Sequence, residues 1–171
     1  MGLITPNDFP NLRELYVGQL RYLLSTESQI VKGLPKMIDH ADDPQLRHAF
    51  ESHLKETEQH VSRLEGLMGD LNLKVDDKKD AILAAIVSSG ENITKETNAG
   101  PVRDAGLIAS AQKVEHYEMA SYGTARDWAK QLGLNNHVPV LQKTLDEEKH
   151  ADALLTQISQ RTNPSASSVA A

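Results

Sequence analysis

Glu147 and His150 stand three residues apart in the segment LDEEKHAD (145–152), inside a helical repeat of apolar residues. Residues at this spacing share one face of a helix. A charged pair that faces the interior of a helical bundle is costly unless a partner compensates for the lost water, and a metal ion is a common partner. The pair therefore predicts metal ligands, although a Glu-x-x-His pair by itself is more often a solvated surface pair.

Acidic side chains also interrupt the apolar stripes of three further predicted helices. Glu27 interrupts the first stripe, Glu56 and His60 interrupt the second, and Glu115 and Glu118 interrupt the third. Counted from the turns that join the helices into antiparallel hairpins, these positions lie at similar depths, so the side chains are expected to meet in one layer. Dinuclear iron and manganese sites in helical bundles use such a set, with one glutamate from each of two helices and a Glu-x-x-His pair from each of the other two.

Seven residues are predicted to be metal ligands, on the agreement of all four helices rather than on any single motif. They are Glu27, Glu56, His60, Glu115, Glu118, Glu147 and His150. The second helix departs from Glu-x-x-His spacing, because Thr57 stands three residues before His60 and Glu56 stands four before it. A π-bulge would bring Glu56 and His60 into equivalent positions, and a regular helix also leaves both on one face. His53 is expected to be a core or supporting histidine, with direct metal ligation as the open alternative, and Glu148 is expected on a solvated face.

The composition and the spacing of apolar residues predict an all-α fold. Good helix formers are abundant, aromatic residues make up 4%, and β-branched runs bounded by turn residues are missing. Four helical stripes are separated by a turn at 42–44, a long connection at 72–101 and a loop at 133–136, and residues 81–86 predict a short helix inside the long connection. The expected organisation is one bundle domain over 1–161 and a disordered, small and polar tail over 162–171.

The bulk properties exclude several classes of function. The chain has 171 residues and no cysteine, which excludes disulfides, zinc thiolate sites and cysteine nucleophiles. A net charge of −6 argues against an electrostatic grip on nucleic acid. No signal-peptide pattern and no apolar run long enough for a membrane span is visible. The protein is therefore expected to be soluble and cytoplasmic, with neither a nucleic-acid nor a membrane partner.

Four segments of the chain carry a resemblance to a known family. They are TESQIVKGLPKM (26–37), SHLKETEQHVSRLEGL (52–67), GPVRDAGLIASAQKVEHYEMASYG (100–123) and LDEEKHAD (145–152). Together they resemble the ferritin-like YciE/YciF family of bacterial stress proteins, from about residue 9 to residue 160. The resemblance implies a ferritin-like four-helix bundle with an additional short helix in the crossover between helices 2 and 3, and it implies a homodimer.

The acid pattern is also similar, more distantly, to that of rubrerythrin and manganese catalase. Glu115 and Glu118 match the paired glutamates on the third helix of rubrerythrin, and Glu147 with His150 matches its last Glu-x-x-His. The cysteine module through which rubrerythrin receives electrons is missing from this chain. Its absence favours chemistry that needs no outside reductant, such as peroxide disproportionation, or an unknown reductant.

Three hypotheses for the function follow, and they belong to different classes. The first is a metal-dependent oxidoreductase, of peroxidase or catalase type, that binds peroxide or dioxygen between two ions. The second is an iron-binding protein of ferroxidase type, and the third is a metal-free structural stress protein. An oxygen-rich ligand set with two imidazoles accepts iron and manganese alike, so both metals stay open. The residues assign no catalytic side chain and no organic cofactor.

Overall fold

The described part of the chain is helical, as the composition predicts. A computed structural model describes residues 9–75 and 79–169, and these residues contain no β-strand. The helices are α1 (Leu12–His40), α2 (Pro44–Asp70), α3 (Ala81–Glu96), α4 (Pro101–Gln131) and α5 (His137–Ser167). The all-α prediction is confirmed, and no helix in the described ranges has the length and apolar character to cross a membrane.

The helices begin where local capping chemistry directs them to begin. The side chain of Asn11 accepts a hydrogen bond from the Glu14 amide at 2.9 Å and starts α1. Asp43 caps α2 in the same manner, and Pro44 occupies its first position, where no amide donor is needed. Gly100 turns the chain into α4 with a φ of 127°, a conformation that favours glycine. The α1–α2 and α4–α5 pairs, each joined by a short loop, pack as two hairpins.

Two apolar clusters fill the bundle and lie on either side of a polar layer. One cluster contains Tyr16 and Leu20 from the first half of α1, and the other contains Ile30 and Leu34 from its second half. Glu27 lies between them on the same helix and is fully buried. The apolar packing on both sides separates this polar layer from bulk water along the length of the bundle.

Helix α3 is tied to the bundle by the carboxylate of Asp80. One oxygen of this carboxylate caps the N-terminus of α3 by accepting hydrogen bonds from the amides of Ile82 and Leu83, both at 2.9 Å. The other oxygen accepts hydrogen bonds from the Thr26 hydroxyl at 3.0 Å and from the Tyr117 phenol. The buried side chain of Asp80 therefore joins α3 to α1 and α4. Its contact on α1, Thr26, directly precedes Glu27 in the sequence.

Two helices are longer than the sequence predicted. Helix α3 extends to Glu96, because Gly106 on α4 leaves room for Ile93, whose Cγ2 would lie 2.4 Å from an added Cβ. Helix α5 continues beyond the tail boundary predicted at residue 162 and ends at Ser167. Thr162 is buried, and its hydroxyl donates to the Ile158 carbonyl at 3.1 Å, so this turn packs on the bundle. Residues 170 and 171 of the predicted tail lie outside the described residues.

Candidate metal centre

Six titratable side chains from four helices meet between the two apolar clusters, and we call them the buried acid layer. They are Glu27 from α1, His53 and His60 from α2, Glu115 and Glu118 from α4, and Glu148 from α5. Each is at most 7% exposed. Isolated charges at such depth are costly in free energy, so their accumulation in one layer requires either proton sharing or a bound cation.

The buried acid layer divides into two groups that share one residue. In the first group, ligand atoms of His53, Glu115, Glu118 and Glu148 lie within 4.8 Å of one another. In the second group, ligand atoms of Glu27, His60 and Glu148 meet the same limit. Glu148 belongs to both groups, and a carboxylate has two oxygens with which it can bridge two ions. The geometry therefore offers two adjacent cation positions with a common carboxylate.

The polar atoms of the layer are close together but poorly satisfied by one another. His60 Nδ1 lies 3.0 Å from Glu148 Oε1 and 3.5 Å from Glu27 Oε1, and His53 Nε2 lies 3.4 Å from Glu115 Oε1. None of these approaches is aligned as a hydrogen bond, because both nitrogens lack a hydrogen-bond partner. Of the ten buried side-chain atoms without a partner among the described residues, nine belong to this layer, the exception being Arg103 Nε. Native proteins leave few such atoms unpaired, so this concentration fits a layer whose side chains could hold a cation.

Burial and mutual repulsion raise the pKa values of the acids in the layer. Burial raises the pKa of Glu118 well above its ordinary value, and the carboxylates of Glu27 and Glu148 raise it further. Burial also raises the pKa of Glu27, partly offset by contacts with His60. The pKa of Glu115 rises to about 8, with burial again the largest cause. Without a cation, the layer therefore retains protons that a solvated carboxylate loses at neutral pH.

The two histidines shift in the direction opposite to that expected from burial alone. Burial lowers the pKa of His53, but the neighbouring Glu115 carboxylate contributes to a net rise, to about 9. Burial likewise lowers the pKa of His60, and the Glu148 and Glu27 carboxylates contribute to a net rise, to about 10. At neutral pH both rings are therefore cationic when no metal is bound. A metal ion would replace these protons, since imidazole binds metals in its neutral form.

Each histidine has a second carboxylate beside the ring nitrogen that does not contact the acids of the layer. His60 Nε2 contacts Glu147 Oε2 at 3.0 Å, and Arg63 holds Glu147 through two hydrogen bonds, one of them 3.1 Å long. His53 Nδ1 lies 3.9 Å from Glu56 Oε2. Histidines that bind metals usually donate their second N–H to such an acceptor, which fixes the tautomer and the ring orientation.

Smaller side chains complete the surroundings of the layer. The Tyr122 phenol donates a hydrogen bond to Glu27 Oε1, and the Tyr122 ring meets the His60 ring edge-on with centroids 6.4 Å apart. Thr57 is fully buried between the two histidines, and its hydroxyl donates to the His53 carbonyl at 2.8 Å. Thr57 thus occupies the place that a glutamate takes in a Glu-x-x-His pair, and its hydroxyl binds the backbone of its own helix rather than a carboxylate of the layer.

Four of the seven predicted ligands lie in the buried acid layer, and three do not. Those inside are Glu27, His60, Glu115 and Glu118. Glu56 and Glu147 have side chains 37% and 25% exposed and stand behind the histidines, while His150 is exposed. The expectation that Glu148 faces solvent is wrong, because it is fully buried. The apolar stripe of α5 runs through Leu141, Leu145 and Leu155, and not through Val140 and Leu154 as the sequence pattern predicted. This rotation of the helix turns Glu148 inward.

Comparisons with known proteins identify the family. A family model described as "Domain of unknown function (DUF892)" matches residues 11–167. Protein YciF of Escherichia coli (strain K12) is 35% identical over 148 residues, which cover 86% of this chain and 89% of that protein. The crystal structure of the E. coli stress protein YciF matches with a TM-score of 0.87 at 33% identity, covering 91% of this chain and 99% of that chain.

A second solved structure gives the same result. YcfI from Rhodopseudomonas palustris matches with a TM-score of 0.86 at 34% identity, covering 90% of this chain and 98% of that chain. The additional helix that the resemblance places in the crossover is present in this chain as α3. The family resemblance carried by the four sequence segments is confirmed, and E. coli YciF is a relative of this chain. The chain belongs to the DUF892 family.

Proposed function

We propose that this protein binds two ions of iron or manganese in the buried acid layer and acts on peroxide or dioxygen in stress defence. The observation that carries the proposal is the set of nine buried polar atoms, contributed by four helices, that lack hydrogen-bond partners. Four glutamates and two histidines supply these atoms, which is the ligand count of di-iron and di-manganese bundles. The supply is distributed differently here, with both histidines on α2 and two glutamates on α4.

The two groups of the layer divide the proposed ligands between the ions. His60 and Glu27 would hold one ion, and His53, Glu115 and Glu118 would hold the other. Glu148 belongs to both groups and would bridge them. Oxygen-rich sites with one imidazole for each ion suit iron and manganese. Iron or manganese held there would supply redox chemistry toward peroxide or dioxygen.

The side chains of this chain contribute proton handling and exclusion of water. Burial and three neighbouring carboxylates raise the pKa of Glu118, which favours its protonated form in the metal-free layer. The Tyr122 phenol donates a hydrogen bond to Glu27 Oε1 and orients that carboxylate. The apolar clusters on both sides keep bulk water from the layer and so confine reactive species. Because the chain has no cysteine for a rubredoxin-type electron entry, a reaction without outside reductant, such as peroxide disproportionation, is favoured.

Iron handling of ferroxidase type is a second candidate, favoured by a narrow crevice that reaches the layer. The crevice has a volume of about 70 Å³ and lies between α2 and α5. Glu56 and His150 line it near the surface, and His53 and Glu115 line it inside. Carboxylate and imidazole groups along such a path suit the passage of a divalent cation. Glu56 and His150, which the sequence predicted to be ligands, would then guide the entry of the ion and would not belong to its final coordination.

A metal-free structural role is the third candidate, and one comparison favours it. YcfI from R. palustris is described as a candidate structural protein. In this case the layer would hold its protons permanently, and the bundle, as the homodimer that the family resemblance implies, would function through its surface. Metal content separates this candidate from the other two.

The experiment begins with protein purified without chelator and analysed for bound metals. The proposal expects close to two equivalents of iron or manganese for each chain, and anomalous diffraction at the two absorption edges should place them beside Glu148. Peroxide consumption by the loaded protein then separates an oxidoreductase from an iron-handling protein, which would oxidise ferrous iron without sustained peroxide turnover. Protein that stays metal-free after incubation with ferrous and manganous salts would contradict the proposal and favour the structural role.

A further inference from the structure

A large apolar cavity lies between α1 and α3 and ends at the buried acid layer. Its volume is about 440 Å³, within the range of roughly 300–1,000 Å³ that is usual for small-molecule sites. Helices α1 and α3 form its walls, and α2 and α4 form its floor. Side chains such as Ile30, Leu34, Phe50, Leu107 and Val114 give it a predominantly apolar lining.

The two ends of this cavity differ in charge. His53 and Glu115 lie at the inner end, where both ring nitrogens of His53 and one oxygen of Glu115 are buried without a hydrogen-bond partner. At the mouth, Lys36 on α1 forms an ion pair of 2.7 Å with Glu91 on α3, and the exposed Lys95 lies beside them. The mouth thus carries two lysines and one glutamate, whereas the inner end carries one histidine and one glutamate.

We propose that this cavity binds a small organic acid with an extended apolar body and a single carboxylate, of the kind represented by a medium-chain fatty acid. The apolar lining fits the body of such a molecule. Its carboxylate would lie at the mouth beside Lys36 and Lys95, because water still solvates the group there and the two lysines outnumber the single glutamate. The apolar end would then point toward His53 and Glu115.

This arrangement names a substrate class for the proposed metal centre. As an assignment of substrate, it rests on the proposed function, because only a loaded centre could act on the inner end of the molecule. As an assignment of a binding site, it rests on the cavity alone. Binding is therefore tested on metal-free protein, where loss of the metal proposal leaves the result unchanged.

Gly33 provides the variant with which to close the cavity. It lies in the interior of α1, where glycine weakens a helix, and a Cβ built there would lie 3.9 Å from Val87 Cγ1 on α3. The space between α1 and α3 at this point is therefore open to a longer side chain. Gly66 is the matched control, since it lies in the interior of α2, is exposed and has no atom within 4 Å of an added Cβ.

The experiment measures dodecanoate binding to metal-free protein by calorimetry, below the concentration at which the acid forms micelles. We expect saturable binding of one molecule for each chain. Gly33→Leu should weaken it by at least about tenfold, and Gly66→Leu should leave it unchanged. Val87→Phe fills the same space from α3 and tests the cavity independently if Gly33→Leu proves unfolded by circular dichroism.

Dodecanol tests the place of the carboxylate, since it has the same body without the charge. It should bind the wild-type protein a few-fold more weakly than dodecanoate, and Lys95→Gln should remove that difference, as expected for an exposed ion pair of modest energy. The proposal is overturned if dodecanoate fails to bind, if it binds Gly33→Leu and Val87→Phe as tightly as wild type, or if dodecanol binds as tightly as the acid. Dodecanoate binding to a protein that takes up no metal would retain this site and contradict only the metal centre.

Discussion

The two histidines of the buried acid layer stand on one helix, yet their surroundings differ. His60 is fully buried, its ring is packed by Tyr122, and Glu147 holds its outer nitrogen at 3.0 Å while Arg63 in turn holds Glu147. His53 has no such support, because Glu56 stands 3.9 Å from its outer nitrogen and is itself 37% exposed. Both cavities that approach the layer end at His53 rather than at His60.

This difference indicates a division of labour between the halves of the proposed centre. Pre-organised ligands with anchored partners hold an ion in one geometry, whereas loosely supported ligands permit exchange and a change of coordination. We therefore expect the His60 half to retain its ion and the His53 half to receive ions and small molecules. Variants that affect one half and leave the other unaltered test this comparison directly.

The largest effect is expected from Glu148→Ala, because this residue alone belongs to both halves. Metal content should fall from two ions per chain to nearly none. The stability of the metal-free protein should stay the same or rise, since a buried carboxylate is removed. Metal analysis and thermal unfolding measure the two quantities, with Glu65→Ala, an exposed change on α2, as the control. A Glu148→Ala protein that still binds two ions would show that the layer is not the metal site.

Removal of either histidine should leave one ion, and the two remaining ions should differ in lability. In His60→Ala the remaining ion lies in the His53 half and should exchange rapidly with a chelator. In His53→Ala the remaining ion lies in the His60 half and should exchange more slowly, by on the order of tenfold. Stopped-flow chelation of manganese-loaded variants measures both rates. Equal rates would contradict the division between the halves.

The stability of the metal-free protein should decrease as the pH rises from 6.5 to 10. The carboxylates around His53 and His60 outweigh burial and raise their pKa values to about 9 and about 10, above the ordinary 6.5. The stability that their charged forms contribute is therefore complete below pH 6.5 and is lost as the pH passes each folded-state pKa, first in the His53 half. Glu115, with a pKa raised to about 8, acts in the same direction between pH 4.5 and 8.

Thermal unfolding across this pH range, with and without manganous ion, measures the effect. The midpoint of the metal-free protein should fall by more than about 4 °C, the change that about 1 kcal/mol produces in a domain of this size. Bound metal should reverse the trend, because ligands that lose protons bind metal better. A metal-free midpoint that stays constant or rises over this range would refute the assigned charge states.

The smallest effects are expected from the carboxylates behind the histidines. Glu147→Gln should weaken metal binding by about tenfold, since it removes the anchored acceptor of His60. Glu56→Gln should weaken it within about threefold, because its contact with His53 is long and exposed. Competition with a chelator of known affinity gives both values. A larger loss of metal affinity from Glu56→Gln than from Glu147→Gln would contradict the conclusion that the His60 half is the better supported one.

Much of this architecture could be predicted from the sequence, because apolar periodicity determines which elements form. The helical class, the long connection with its inner helix, and the burial of Glu27, His60, Glu115 and Glu118 all follow from spacing. Helical phase was harder to predict where two registers compete. On α5 the register through Val140 and Leu154 competes with the one through Leu141 and Leu155, and one residue of difference rotates a side chain by about 100°.

Adjacent polar residues made that ambiguity consequential. Glu147 and Glu148 are chemically identical, so only the packing of the whole helix selects which one enters the layer. On α2 the same uncertainty separated Glu56 from Thr57. The seven-residue interval between His53 and His60, two helical turns, was the available signal that both rings face inward. The cavity beneath α3 depends on how far two helices stand apart, which periodicity does not encode.

The placement of both imidazoles on α2 has a geometric consequence. Seven residues of α-helix advance by roughly 10.5 Å, and the hydrogen bonds along a helix make that interval stiff. In bundles where each histidine comes from a different helix, the span between the imidazoles changes whenever those helices slide. Here a single helix carries both rings: relative movement of α1, α4 and α5 can alter the carboxylates of the proposed centre, but the backbone interval between the two rings stays constant.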